Sequence, residues 1–121
     1  MALHYKEFPS EGIVEIRVDG KVDRQEYFNA INQLESFIFD HGTVKLIEIV
    51  DDFDGFDPRI VWDGLKFDMK YIPSITHCAI VSDVGWIAPL SKAAGALVST
   101  KLRTFSMADL DAARAWVRAP E

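Results

Sequence analysis

The stretch Val44–Val50, with the sequence VKLIEIV, decides the fold because apolar residues run through it almost without interruption. A strand that is buried on both faces has this composition, and such strands occupy the middle of parallel sheets. The sequence therefore predicts that Val44–Val50 is a central strand of a mainly parallel sheet.

Upstream of this strand, apolar and charged side chains alternate along Ile13–Asp19. Alternation with a period of two predicts a half-buried strand. A shorter strand around Leu3–Phe8 is expected to precede it, with a turn at Pro9–Gly12. These two strands are predicted to form an antiparallel hairpin.

Helices are predicted between the remaining strands from capping residues and apolar spacing. The first begins at Asp23, with Glu26 three residues later, and ends at Gly42. A second begins at Asp57-Pro58 and ends at Pro73, a third spans about Gly85–Val98, and a last one starts at Ser106.

A further short apolar strand is predicted at Cys78–Ser82, and a last strand near Lys101–Phe105. Strands that alternate with helices imply right-handed crossovers and parallel pairing. The predicted fold class is α/β: a mixed, mainly parallel sheet of about five strands with an N-terminal antiparallel hairpin and about four helices. The 121 residues are expected to form a single domain, 1–121.

The formal net charge of −6 argues against a nucleic-acid partner, which would require an excess of Lys and Arg. The single cysteine, Cys78, excludes an internal disulfide and any paired-cysteine metal or redox site. No signal region and no membrane-spanning run is found in the sequence. We therefore expect a cytoplasmic protein without a cofactor.

Several stretches, in the same order along the chain, resemble the SpoIIAA-like proteins, small bacterial chains with a STAS-type fold related to the CRAL-TRIO domains. The most specific is Cys78–Ile87, CAIVSDVGWI, a strand that closes on Asp and is followed by a helix that opens with Trp. The others are Ile13–Gly20, Leu46–Asp52, Val61–Phe67 and Phe105–Trp116. The resemblance covers essentially the whole chain and implies a STAS/SpoIIAA-like fold.

The resemblance also bears on function. It implies a non-enzymatic binding or regulatory module acting through protein–protein contacts, with a small apolar, lipid-like ligand as the alternative, as in the CRAL-TRIO relatives. STAS anti-sigma-factor antagonists carry a phosphorylated serine after the central strand, yet this chain has no Ser or Thr between Thr43 and Ser74. The phosphorylation switch is therefore not expected to carry over.

Carboxylates are concentrated after the central strand, at Asp51, Asp52, Asp54 and Asp57. Open α/β sheets place ligands beyond the carboxyl ends of their strands, so this predicted loop is a candidate site. Its spacing does not fit an EF-hand. A magnesium or calcium site of another kind is an alternative, since oxygen ligands suffice for these cations, but no metal site is predicted. The structural alternative is a solvated turn in which Asp57 caps the next helix.

Catalytic constellations are weak in this sequence. Cys78 lies within an apolar strand, and the adjacent His77 is expected to point to the opposite face. Glu48 and Asp83 are the pair that could in principle form an acid–base couple. A two-component receiver domain is rejected because no Lys follows Asp83 at the end of a later strand. We therefore do not predict an enzyme.

Aromatic and apolar residues that surround the acidic stretch are the strongest candidates for a ligand or partner surface. Some of them, including Ile87, also have the spacing of ordinary core residues. The predicted surface consists of Asp52, Phe53, Asp54, Phe56, Trp62, Asp83, Trp86, Ile87 and Leu90.

A homodimer is also predicted, because the helix that follows Asp57 carries a second apolar face. Ile60, Phe67 and Tyr71 form this face, whereas a helix that lies on a sheet buries a single stripe. Symmetric pairing through these residues would cover it.

Overall fold

The sheet and two helices are visible in a computed structural model that describes residues 2–56, 70–85, 87, 89, 92 and 99–119, with residues 52–56 and 72 described by their backbone. The strands are β1 (Leu3–Phe8), β2 (Ile13–Val22), β3 (Val44–Phe56), β4 (Ile75–Ser82) and β5 (Lys101–Phe105). The α-helices are α1 (Arg24–His41) and α2 (Leu110–Arg118). Short 3-10 turns lie at Pro9–Glu11, Ile72–Ser74 and Met107–Asp109.

The five strands form one mixed sheet in the order β1-β2-β3-β4-β5. β1 pairs antiparallel with β2, and β2 through β5 pair in parallel. The predicted α/β class and mainly parallel sheet are thus confirmed. The turn between β1 and β2 is a 3-10 turn followed by Gly12 at φ 69°. This is a left-handed conformation, which glycine adopts without steric cost.

β2 and β3 are both longer than predicted. The sequence placed the end of β3 at Val50 and a loop at Asp51–Asp57, but β3 continues to Phe56. β3 extends because β2 provides a strand for it to pair with. β2 also continues, to Val22, and Asp19 pairs with Asp52 and Gly20 with Phe53. Two register shifts interrupt this extension. Such irregularities bend a strand locally, and Gly20 accommodates the bend with a φ of 113°.

Helix α1 begins and ends where the sequence predicted. The side chain of Asp23 accepts a hydrogen bond from the Glu26 amide at 2.8 Å, which satisfies one of the free N–H groups of the first turn. Glu26 in turn accepts a bond from the Leu3 amide at 2.9 Å, so the helix start is tied to β1. Gly42 ends the helix at φ 84°, and its amide donates to the Ile38 carbonyl. A glycine at this position is the common end of a helix.

The sheet has a separate apolar cluster on each face, and each cluster includes one of the two helices. Strand residues alternate between the faces, as strand geometry requires. The α1-face cluster comprises Val14, Leu34, Phe37, Ile38, Val44, Leu46, Ile75, Cys78, Ile80 and Ile87. The α2-face cluster comprises Ile13, Ile47, Ile49, Ala79, Val81, Ala113 and Val117.

The described part of the chain contains two α-helices, where the sequence predicted about four. The predicted helices at 57–72 and 85–98 lie largely outside the described residues. The last helix also differs from its prediction, because a 3-10 turn at Met107–Asp109 precedes α2. Ala113 and Val117 of α2 are buried. No helix within the described ranges is long and apolar enough to cross a membrane.

Candidate functional site

Side chains link the strands at the carboxyl edge, which we define as the level of the sheet where β4 ends at Ser82. It includes the residues of β2 and β3 at this level, around Val18 and Val50, and the residues that follow β4 and β5. β2 and β3 continue beyond it. Ser82, the last residue of β4, donates from its hydroxyl to the Val50 carbonyl of β3 at 2.9 Å. The same hydroxyl accepts a bond from the Val84 amide at 3.1 Å. Ser82 thereby connects β3 to β4 and also fixes the direction in which the chain leaves β4.

Asp83 connects the ends of β4 and β5. Its Oδ1 accepts a hydrogen bond from the backbone amide of Met107 at 3.0 Å. That amide is the first of the 3-10 turn Met107–Asp109, where free N–H groups need an acceptor. Ser106, the residue before this turn, donates from its hydroxyl to the Asp109 side chain at 3.1 Å. The exposed carboxylate of Asp83 therefore caps the 3-10 turn that follows β5 and links this turn to the end of β4.

Arg17 and Asp51 connect the last neighbouring pair, β2 and β3. The Arg17 guanidinium donates to Asp51 Oδ2. This hydrogen bond, above all, raises the pKa of Arg17, while slight burial opposes it. Every neighbouring pair of parallel strands thus carries a side-chain link at the carboxyl edge: Arg17–Asp51, Ser82–Val50 and Asp83–Met107.

Helix α2 is fixed to the β2 side of the sheet by a two-bond ion pair. Arg114 donates to the two carboxylate oxygens of Glu15 at 2.8 and 3.2 Å. The Glu15 side chain is only 12% exposed. The guanidinium therefore supplies most of the hydrogen bonding that solvent would otherwise provide. One turn later Arg118 pairs with Glu11 at 2.9 Å, where the carboxylate is 43% exposed.

The predicted ligand or partner surface is described in part. Asp83 lies at the carboxyl edge, and Ile87 is 9% exposed within the α1-face cluster. Asp52, Phe53, Asp54 and Phe56 lie on β3 rather than in a loop. Trp62, Trp86 and Leu90 lie outside the described residues.

Of the predicted dimer face, Tyr71 is described, and Ile60 and Phe67 lie outside the described residues. The Tyr71 hydroxyl donates to Glu35 of α1 at 2.8 Å. Its ring packs beside the α1-face cluster. This side chain is therefore partly covered within its own chain, and the dimer stays a prediction.

Cys78 and His77, which were considered for catalysis from the sequence, lie on opposite faces of the sheet. Cys78 belongs to the α1-face cluster, whereas His77 contacts Trp116 of α2, with a ring separation of 5.7 Å. These neighbours on β4 point to opposite faces, as predicted. Glu48 lies half-buried between Ile16 and Ile80 in the strand register.

Sequence reasoning found Asp83 but not Arg17 or Ser82. In the sequence, Arg17 lies on the charged face of an alternating strand, and Ser82 is the last residue of the predicted strand Cys78–Ser82. The signal that could have found them is position: each is a polar residue near the carboxyl end of a strand predicted to pair in parallel. Such residues meet across the sheet once the register aligns them.

The comparisons with known proteins agree with this architecture. The family model described as SpoIIAA-like matches residues 13–118. A crystal structure of an uncharacterized protein of the DUF3478 family from Shewanella loihica PV-4, with a SpoIIAA-like fold, superposes with a TM-score of 0.75. The two chains are 19% identical, and the match covers 96% of this chain and 92% of that chain, which shows the shared fold. No curated protein matches the sequence. The chain belongs to the SpoIIAA-like family.

Proposed function

We propose that this protein is a non-enzymatic binding or regulatory module that contacts a protein partner through its carboxyl edge. The observation that carries the proposal is that each neighbouring pair of parallel strands is linked there by a side chain. A surface held in one arrangement loses less conformational freedom when a partner binds it. The linked edge is thus suited to recognition by shape.

The chemistry of the edge supports recognition rather than proton transfer. Asp83 uses Oδ1 to accept from the Met107 amide, and Ser82 both donates and accepts backbone bonds. These two side chains act as structural links, which is a different role from a general acid, base or nucleophile. Since a fold does not define an activity, the proposal rests on this use of the polar side chains.

Gly85 offers a way to test the edge without breaking its links. A Cβ built at Gly85 meets no heavy atom within 4 Å in the described structure beyond its chain neighbours. Gly85→Arg therefore places a long charged side chain beside Asp83 and leaves the three links in place. Asn32→Arg is the matched control. It makes the same charge change at an exposed position of α1, which is distant from β4 in the sequence.

The experiment is a quantitative capture from a lysate of the native organism, followed by binding of the purified partner. We expect one or more proteins to bind wild type and Asn32→Arg equally, and to bind Gly85→Arg on the order of tenfold more weakly. Equal capture by all three forms would show that the edge is not the binding surface.

The apolar-ligand alternative predicts instead a bound lipid in native mass spectrometry of the gently purified chain.

A further inference from the structure

Three basic side chains form a row at the amino end of the sheet. In the strand register Lys45 of β3 is the partner of His77 of β4, and His77 is the partner of Lys101 of β5. Adjacent strands lie about 4.8 Å apart, so the row spans about 10 Å between its outer Cα atoms. We call Lys45, His77 and Lys101 the cationic row.

The cationic row lies on the face that α2 covers. Lys45 alternates with Leu46 of the α1-face cluster and has the same orientation as Ile47, which belongs to the α2-face cluster. The His77 ring meets the Trp116 ring of α2 edge-on, at 5.7 Å and 73°. An aromatic ring therefore borders the row on its helix side.

Basic side chains lie next to one another in this row. Burial lowers the pKa of His77, and the ammonium groups of Lys45 and Lys101 lower it further. Among the described residues, acidic side chains pair with Arg17, Arg114 and Arg118. Neither lysine of the row has such a pair within the same residues. The charge of the row is therefore available to a partner.

Protection of the sheet edge does not explain the arrangement. Lysines on an edge strand discourage pairing with other chains, and this accounts for Lys101 on β5. It does not account for Lys45, because β3 lies in the middle of the five-stranded sheet. An acidic ligand would balance the charge of Lys45 at this half-buried position.

We propose that the cationic row, with Trp116 beside it, is a docking surface for an acidic segment of a partner protein. The row is a local positive region on a chain whose net charge is −6. That overall charge disfavours a long polyanion such as DNA, which would meet the acidic remainder of the surface. A short acidic segment contacts the row alone, and an apolar residue within it can pack on Trp116. This surface is separate from the carboxyl edge and does not depend on the function proposed there.

The test is a titration of a fluorescein-labelled peptide, Glu-Asp-Phe repeated three times, followed by fluorescence anisotropy at about 50 mM salt, where screening is moderate. The variant is Lys45→Gln with Lys101→Gln. The matched control is Lys21→Gln with Lys92→Gln, which removes the same charge from two exposed lysines outside the row. Circular dichroism checks that all three proteins are folded.

Wild type and control are expected to bind the peptide with affinities that agree within about twofold, while the row variant binds on the order of tenfold more weakly. A version of the peptide with Gln and Asn in place of Glu and Asp is expected not to bind. Equal weakening in the control would show that net charge alone attracts the peptide and would overturn the proposal. Absence of binding to wild type, or tighter binding of a DNA duplex than of the peptide, would also overturn it.

Discussion

Two regions of this sheet use their polar side chains in opposite ways. At the carboxyl edge and along the β2 side of α2, charged and hydroxyl groups are matched with partners, as in Ser82–Val50 and Glu15–Arg114. At the amino end of β3 to β5, the cationic row places three basic side chains next to one another. One region satisfies its polar groups within the fold, and the other leaves charge of one sign unbalanced.

This contrast indicates that the matched polar groups stabilise the fold, whereas the cationic row is available for binding. A matched polar group keeps the hydrogen bonds it would have in water, so its loss is expected to destabilise the fold. A group held beside like charges lowers stability slightly, and a folded chain tolerates this where it serves binding. The two regions should therefore respond oppositely to removal of a polar side chain.

The largest effect is expected at the Glu15–Arg114 pair. Arg114→Met keeps most of the aliphatic stem but leaves the Glu15 carboxylate, which is 12% exposed, without its guanidinium. Leaving a poorly solvated charged acceptor unpaired costs about 2 kcal/mol. Urea unfolding should show a loss of this size in the free energy of unfolding.

Arg118→Met is the matched control on the same helix. Its partner Glu11 is 43% exposed. A solvated ion pair of this kind contributes roughly 0.5 kcal/mol. If the two variants lose the same free energy, burial of the carboxylate is not what gives the Arg114 pair its value.

Ser82→Ala is expected to cost less, about 1 kcal/mol, because it removes two neutral hydrogen bonds at a half-buried position. The Val50 carbonyl and the Val84 amide would each lose a partner. Thermal unfolding compared with Ser99→Ala, at an exposed position, checks this value. A stability equal to that of wild type would mean that water replaces both bonds.

The sequence was sufficient to predict the strands of the sheet and the bounds of α1, because strand periodicity and helix caps are local signals. Asp23 and Gly42 bound α1 as predicted, through contacts within four residues. The end of β3 could not be predicted in this way. Aspartate and glycine in residues 51–57 favour a turn, and pairing with the extended β2 overrides that preference.

The candidate sites also differ in whether a local sequence signal marks them. Asp83 stands out in the sequence, because an acidic residue at the end of a strand is a familiar signal. The cationic row does not, since Lys45, His77 and Lys101 are far apart along the chain. Their proximity depends on the register of three strands, including an irregularity next to Lys45, and no local pattern specifies it.

At the cationic row the expected change in stability is small and has the opposite sign. Lys101→Gln removes one of two ammonium groups beside His77. This repulsion acts when the imidazole is protonated, which its lowered pKa confines to acidic pH. Below about pH 6.5, the free energy of unfolding should therefore rise by a few tenths of a kcal/mol, roughly the value of an exposed charge contact. Lys92→Gln removes the same charge elsewhere and should leave stability within about 0.5 kcal/mol of wild type. A clear loss in Lys101→Gln would indicate that the lysine has a structural partner.

The most delicate test is the pH dependence that His77 adds to stability. Burial and the two lysines lower its pKa in the folded chain, below the value of about 6.5 that an unfolded chain has. The unfolded state therefore binds more protons in this range, and stability rises with pH. The contribution is fully present above about pH 6.5 and is lost as the pH falls through the pKa of the folded state. His77→Gln should flatten this part of the stability profile, measured by urea unfolding between pH 5 and 7.5.

The row variant, Lys45→Gln with Lys101→Gln, separates the two causes of the His77 shift. Because burial is the larger cause, the variant should reduce the slope of stability against pH without abolishing it. An acidic peptide bound to the wild-type row should also reduce the slope, since carboxylates beside the imidazole favour its protonated form. An unchanged slope in His77→Gln would show that another group produces the dependence. An unchanged slope with bound peptide would show that its carboxylates do not reach His77, which would place the acidic segment elsewhere on this face.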